Sequence, residues 1–88
     1  MIEIGDVVLS TKGRDKNRLF LVVGVDGKFA YIVDGKVRKT NSAKKKNVKH
    51  LERVFVAGDK ELATDIKERK PISNRKVKRA VNALIEKI

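Results

Sequence analysis

Residues 5–25 have the sequence GDVVLSTKGRDKNRLFLVVGV, in which two apolar runs flank a polar segment that carries four cations. The runs at 5–11 and 19–25 are rich in valine and leucine, and valine in particular favours strands. The glycine in the polar segment accepts a positive φ at little cost, as the tip of a tight turn requires. The stretch therefore predicts two antiparallel strands joined by an exposed, strongly basic turn.

The first half of the chain continues in the same manner. The segments 29–34, 36–40 and 47–56 predict three further strands. Asp26-Gly27 and Asp34-Gly35 stand between runs, and such a pair predicts a two-residue hairpin with a type I′ turn. Short antiparallel strands at this spacing tend to form a small barrel, because closure removes exposed sheet edges. We therefore expect a five-stranded meander that rolls into a barrel.

The second half predicts two helices. Asp59 is the expected N-cap of the first, which Pro71 ends because the residue before a proline is driven out of helical conformation. Ser73 is the expected N-cap of the second, with Ile72 and Val77 forming a hydrophobic staple. The apolar positions of this second helix recur at helical spacing: Val77, Ala80, Val81, Leu84, Ile85 and Ile88. We expect this helix to cover one face or end of the barrel.

Charge is the strongest clue to function. The 88 residues include 22 Lys and Arg against 11 Asp and Glu, which leaves a net charge of +11. A domain of this size with 41% hydrophobic residues can bury a small two-layer core, with no room for a deep catalytic cleft as well. Its positive field favours polyanionic partners and accelerates their encounter.

Two long intervals, 35–51 and 69–85, contain no acidic residue. In the first, we expect 36–40 on a strand and Lys44-Lys45-Lys46 in a loop. Because this interval spans several elements, binding explains it better than a solvated surface does. In the second, the first two turns of the last helix carry cations that oppose the helix dipole. A bound phosphate would make these cations favourable, because the dipole and the cations would both attract it. The alternative is that the dipole cost is small and is screened by salt.

The aromatic residues are few, and we predict core packing for all of them: Phe20, Phe29, Tyr31 and Phe55. A base-stacking platform would alternate aromatic and polar residues on an exposed sheet face. Recognition of a nucleic acid would then depend on phosphates, sugars and shape.

Catalytic and metal-binding patterns are missing from the sequence. His50 is the sole histidine, there is no cysteine, and no phosphate-binding glycine loop of the P-loop kind occurs. We therefore expect no enzymatic activity, no metal and no cofactor. The longest apolar run, 19–25, falls far short of the roughly 20 residues of a membrane-spanning helix. We expect a cytoplasmic protein that is a monomer when free and has no membrane partner.

The opening stretch resembles a KOW motif, the short β-hairpin signature of ribosomal proteins and transcription elongation factors. The likeness rests on Gly5-Asp6-Val7-Val8, on Gly13, on the basic turn 14–18 and on the apolar strand through Val25, and residues 31–39 continue it. The chain is similar to small bacterial KOW-domain RNA-binding proteins related to an archaeal and eukaryotic large-subunit ribosomal protein family.

The resemblance implies a mainly β fold, an SH3-like five-stranded barrel over 1–57. A helical extension over 58–88 would pack on this barrel within one compact domain. The first loop would contact ribosomal RNA, with Gly13 as its turn glycine. Asn17 stands where many KOW motifs have a second glycine, and asparagine also accepts the left-handed conformation.

The basic loop and the acid-free intervals together give the predicted RNA-binding residues: Lys12, Gly13, Arg14, Lys16, Asn17, Arg18, Lys36, Arg38, Lys39, Lys44, Lys45, Lys46, Lys49, Arg75, Lys76 and Arg79. The expected function is non-catalytic RNA binding in the translation apparatus, with ribosomal RNA, the ribosome or its assembly intermediates as partners. One alternative is a KOW module that binds DNA or a transcription complex. The other is an SH3-type protein-interaction module, against which the shortage of aromatic residues counts.

Overall fold

The computed structural model describes residues 1–87, which form five strands and two helices. The strands are β1 (Val7–Ser10), β2 (Leu19–Asp26), β3 (Phe29–Val33), β4 (Lys44–Asn47) and β5 (Leu51–Phe55). A 3-10 turn (Val48–His50) joins β4 to β5, and the helices α1 (Lys60–Lys67) and α2 (Asn74–Ile85) follow. The prediction of a mainly β chain with C-terminal helices is therefore confirmed.

The strands form one antiparallel sheet in the order β4-β3-β2-β1-β5. At about 4.8 Å between neighbouring strands, the two edge strands of a flat sheet would lie about 19 Å apart. The 3-10 turn that connects those edges advances only about 2 Å per residue over three residues. The sheet must therefore curl strongly, which brings β4 towards the β1–β2 connection.

The predicted strand at 36–40 is wrong, and the fourth strand lies later in the chain. Lys36 and Arg38 donate backbone hydrogen bonds to Asp34 Oδ1 at 2.9 and 2.8 Å, so this side chain closes an irregular loop instead. The predicted Lys44-Lys45-Lys46 loop is wrong as well. These residues pair with β3 as β4.

The hairpin between β2 and β3 also differs from its prediction in detail. Asp26 is the last residue of β2, and the turn consists of Gly27 and Lys28. Of these two, Gly27 alone has a positive φ, at 58°. The predicted type I′ turn is therefore wrong, because it requires positive φ at both central residues.

Each face of the sheet has its own apolar cluster. The helix-covered cluster joins sheet residues to both helices: Val7, Leu19, Leu21, Val33, Leu62, Val77, Val81 and Leu84. The inner cluster lies within the curl of the sheet: Val8, Phe20, Val22, Ala30, Ile32 and Leu51. The strands alternate between the two faces, as the two-residue side-chain period of a strand requires. The expectation that the last helix covers one face is confirmed.

Both predicted N-caps are confirmed. Asp59 Oδ1 accepts a hydrogen bond from the backbone of Leu62 at 3.0 Å, and Ser73 Oγ accepts one from Lys76 at 3.1 Å. Helix α1 ends at Lys67, although Pro71 would allow it to extend further along the chain. Arg69, just beyond the end of the helix, has a left-handed φ of 60°.

The apolar stripe of α2 is buried only in part. Val77, Val81 and Leu84 lie in the helix-covered cluster, whereas Ile85 is 51% exposed. Ile88, which the helical spacing places on the same stripe, lies outside the described residues.

Gly5 and Asp6, the first residues of the motif, join β1 to the segment before α1. Gly5 has a φ of 93°, and a Cβ added there would lie 2.4 Å from Ala63 Cβ. The buried Asp6 carboxylate accepts hydrogen bonds from the backbone of Glu3 at 2.8 Å and of Ala57 at 3.1 Å. Both residues thus position secondary structure.

Candidate nucleic-acid interface

The first loop, residues 11–18, is held in place by a buried carboxylate. Asp15 accepts hydrogen bonds from Ser10 Oγ at 2.8 Å, from Lys44 Nζ at 3.1 Å and from Lys46 Nζ. Burial on its own raises the pKa of the Asp15 carboxyl, but the hydrogen bonds from Lys46, Ser10 and Lys44 outweigh it and hold that pKa well below its ordinary range. The loop is therefore bound to β4 through an ionised acid that faces inward.

The loop backbone follows the predicted conformation. Gly13 has a φ of 93° and Asn17 a φ of 71°, so the prediction that asparagine can serve as the second left-handed residue is confirmed. The amide of Asn17 donates to Ser10 O at 2.8 Å, and the amide of Ser10 donates to Arg18 O at 2.9 Å. With its acid turned inward, the loop exposes its cations: Lys12, Arg14, Lys16 and Arg18.

The irregular loop after β3 is docked on the start of α2. Gly35 has a φ of 76°, and a Cβ added there would lie 2.2 Å from Asn74 O. The amide of Thr40 donates to Asn74 Oδ1 at 2.7 Å. Lys36 and Arg38 are thereby brought beside the helix, so the two acid-free intervals of the sequence meet in space.

Three adjoining depressions gather cations from these segments. The first, of about 250 Å³, is lined by Arg14, Arg18, Arg38 and Lys44, together with the engaged Asp15. The second, of about 540 Å³, is lined by Arg18, Lys36 and Lys78. The third, of about 280 Å³, is lined by Arg75, Lys78 and Arg79. Arg18 and Lys78 each line two depressions, so the three lie side by side.

We call this surface the basic band and define it by eight cations from the first loop, the loop after β3, β4 and α2. These residues are Arg14, Arg18, Lys36, Arg38, Lys44, Arg75, Lys78 and Arg79. The two acids that line its depressions, Asp15 and Asp34, both have carboxylates hydrogen-bonded within the protein. The band therefore combines eight cations with two carboxylates, one of which, Asp15, is ion-paired with Lys44 of the band itself.

Lys46, which was predicted to bind RNA, is buried. Its ammonium donates to Ser10 Oγ at 2.7 Å, to Asp15 and to the backbone oxygen of Lys12. It therefore has no exposed charge to offer a polyanion, and its role is to organise the first loop.

Other predicted residues lie outside the three depressions. Lys76 Nζ is 3.8 Å from Glu61 on α1, and Lys45 Nζ is 4.4 Å from the ring centroid of Phe29. The remaining predicted cations that line none of the three are exposed: Lys12, Lys16, Lys39 and Lys49. The structure thus brings seven of the predicted cations to the three depressions, and the other seven do not line them.

Core packing was predicted for all four aromatic residues and is confirmed for two. Phe20 is fully buried in the inner cluster, and Phe55 packs against the helix-covered cluster. Phe29 and Tyr31 belong to neither cluster and are half-buried on β3. For them the prediction is wrong, since Lys45 of β4 is the strand partner of Tyr31 and its ammonium lies 4.4 Å from the ring centroid of Phe29.

Lys78 was missing from the predicted site and is central to the band. It lies three residues after Arg75 on α2, so both project from neighbouring positions on the helix surface. Its place in the acid-free interval 69–85, three residues after Arg75, was the signal that could have added it.

Within residues 1–87, no cluster of three or more acidic, histidine or cysteine side chains is arranged to hold a metal ion. Among the same residues, no helix combines the length and the apolar character needed to cross a bilayer.

No protein-family model matches this chain. A comparison with curated proteins gives no match either.

Proposed function

We propose that this chain is a non-catalytic RNA-binding protein of the translation apparatus. Its sheet would be an SH3-like barrel of the KOW type, and the basic band would hold structured RNA, with ribosomal RNA as the favoured target in the cytoplasm. The observation that carries the proposal is the convergence of cations from four separate elements on one surface whose acids are already engaged.

The order of the strands agrees with the barrel type that the KOW resemblance implies. Four strands follow one another as a meander, a 3-10 turn precedes β5, and β5 pairs with β1. The loop between β1 and β2, which would contact RNA in a KOW module, contributes Arg14 and Arg18 to the band.

The start of α2 supports an anionic partner. Its first turn contains no acid and carries Arg75 and Lys76, and Lys78 and Arg79 follow in the second turn. Cations near the positive end of a helix dipole are unfavourable by up to about 1 kcal/mol each at low salt. A phosphate at this surface would be attracted by the cations and by the dipole alike.

A salt titration against a structured RNA tests the proposal. The logarithm of the affinity should fall linearly with the logarithm of the salt concentration, with a slope of about −0.7 to −0.9 for each phosphate contacted. A nearly flat plot would reject a phosphate-binding surface. Competition with duplex DNA at one salt concentration separates RNA binding from DNA binding, and co-sedimentation with ribosomal particles through a salt gradient tests the ribosomal target.

Two cations of the first loop provide a matched pair of variants. Arg14 lies in the basic band and Lys16 does not, although both are exposed in the same loop. Arg14→Gln should weaken RNA binding severalfold, whereas Lys16→Gln should change it little. Equal effects of the two variants would mean that net charge, rather than this surface, controls binding.

A further inference from the structure

The largest depression of the basic band is a groove between the sheet and α2, and its floor is apolar. Leu9 and Leu19 contribute to the floor from the sheet side, and Val81 and Ile85 contribute from the helix. Ile85 belongs to the apolar stripe of α2 and is nevertheless 51% exposed. We call this depression the α2 groove. Phosphate binding requires only the cations, so the apolar floor indicates a ligand that also has an apolar part.

The rim of the α2 groove is polar and positive. Arg18, Lys36 and Lys78 supply its cations, and the side-chain amides of Asn17 and Asn82 lie among them. Its acid, Asp34, already accepts two backbone hydrogen bonds through Oδ1. The groove thus combines apolar surface, amides that can donate and accept hydrogen bonds, and cations that attract phosphate.

We infer that the α2 groove binds a single unpaired nucleotide of the RNA, an inference that rests on the proposed function. The base lies on the apolar floor, and the Arg18 guanidinium is a planar group on which a base can stack. Asn17 and Asn82 face the polar edge of the base, while Lys36 and Lys78 hold the adjoining phosphates. The volume of about 540 Å³ lies within the ordinary range for small-molecule sites, about 300–1,000 Å³.

The position of the groove favours a nucleotide over an acidic peptide. The groove shares Arg18 with the depression on one side and Lys78 with the depression on the other. Positive charge therefore continues away from it in both directions. A nucleic-acid strand carries a phosphate at every nucleotide and suits such a path, whereas an acidic peptide with an apolar anchor needs charge only at the rim.

Three RNA stems of otherwise identical sequence test this inference. One contains a single bulged adenosine, the second carries an abasic nucleotide at the bulge, and the third is fully paired. The bulged stem should bind about tenfold more tightly than the abasic stem, since stacking of one base on protein contributes this order of affinity. The abasic and paired stems should bind within about twofold of each other, because phosphate contacts dominate both.

Exposed apolar residues provide matched variants. Ile85→Ala should remove most of the preference for the bulged stem and leave the affinity for the paired stem unchanged. Val56→Ala should retain the full preference, because Val56 is 68% exposed and does not line the groove. Asn82→Ala, at another exposed position of α2, provides a second test of the same groove.

The outcomes separate this inference from the proposed function. Salt-dependent binding of all three stems with equal affinity overturns the nucleotide site and retains RNA binding. A preference for the bulged stem that survives both groove variants places the base elsewhere and also overturns it. A shift of the Ile85 methyl resonance by an acidic amphipathic peptide and not by the bulged stem makes the groove a peptide site. Failure to bind any of the stems rejects the proposed function itself.

Discussion

The ammonium of Lys46 is hydrogen-bonded to the carboxylate of Asp15, 31 residues away in the chain. Both side chains are buried, and Ser10 Oγ bonds to both of them. Because Lys46 lies on β4 and Asp15 in the first loop, this contact fixes the loop that carries Arg14 and Arg18. One lysine of the basic triplet thus lies inside the protein and positions cations outside it.

Replacement of Asp15 by alanine should lower the free energy of unfolding by about 3 kcal/mol. Loss of one partner leaves the Lys46 ammonium buried without its counter-charge, and breaking a buried pair in this way costs about 3–5 kcal/mol. Urea denaturation followed by circular dichroism measures the change.

Asp26→Ala is the matched control, because Asp26 is exposed at the end of β2. It should change the free energy of unfolding by less than about 0.5 kcal/mol. Addition of Lys46→Met to Asp15→Ala should restore part of the loss, since it removes the unpaired charge. Equal losses in the Asp15 and Asp26 variants would contradict the structural role of the pair.

The contribution of Asp15 to stability should depend on pH in the acidic range. The pKa of this carboxyl is lowered in the folded state, so the stabilisation is fully present above the ordinary pKa of 3.8. As the pH falls below that value, the unfolded state takes up a proton more readily than the folded state, and the stabilisation declines. The difference in unfolding free energy between wild type and Asp15→Asn should therefore be constant from about pH 5 to pH 7 and shrink below about pH 4. A difference that stays constant down to about pH 2.5 would show that Asp15 is not the titrating group.

Two glycines should respond very differently to alanine. Gly27→Ala introduces a Cβ at a φ of 58° with no atom within 4 Å, so it should cost about 1 kcal/mol from backbone strain alone. Gly35→Ala adds a collision, because its Cβ would lie 2.2 Å from Asn74 O and 2.8 Å from Lys78 N. It should cost more than Gly27→Ala and also weaken RNA binding, since it displaces the loop of Lys36 and Arg38 from α2. Thermal unfolding and RNA titration of both variants measure these effects, and equal stability losses would argue against close packing at Gly35.

Local chemistry made several elements of the fold predictable. Asp59 and Ser73 were recognisable as caps because a short side chain with an oxygen acceptor, placed directly before an amphipathic run, is typical of an N-cap. Gly13 and Asn17 were recognisable as turn residues because their left-handed φ is costly for most other side chains. These signals depend on neighbours in the chain, and a single sequence contains them in full.

Long-range partners made the other elements unpredictable. Lys44-Lys45-Lys46 has the composition of a loop, and its strand is stabilised by pairing with β3 and by Asp15 in a distant loop. Conversely, 36–40 follows a turn signal as a strand would, but the amides of Lys36 and Arg38 donate to the Asp34 carboxylate and form a loop instead. The candidate site was also predictable only where it depends on neighbours in the chain. Charge runs identified most of its cations, but the inward turn of Lys46 and the central place of Lys78 depend on tertiary structure.

The basic band predicts that the position of a cation affects RNA binding more than the net charge of the protein does. Arg18→Gln with Lys78→Gln and Lys60→Gln with Lys67→Gln each lower the net charge from +11 to +9. All four side chains are exposed, but only the first pair lines the α2 groove. The Arg18 and Lys78 variant should reduce the slope of log affinity against log salt by about 0.7 to 0.9 for each phosphate that it no longer binds, whereas the α1 variant should keep the wild-type slope. Equal reductions in the two variants would mean that RNA responds to the overall field of the protein and not to this surface.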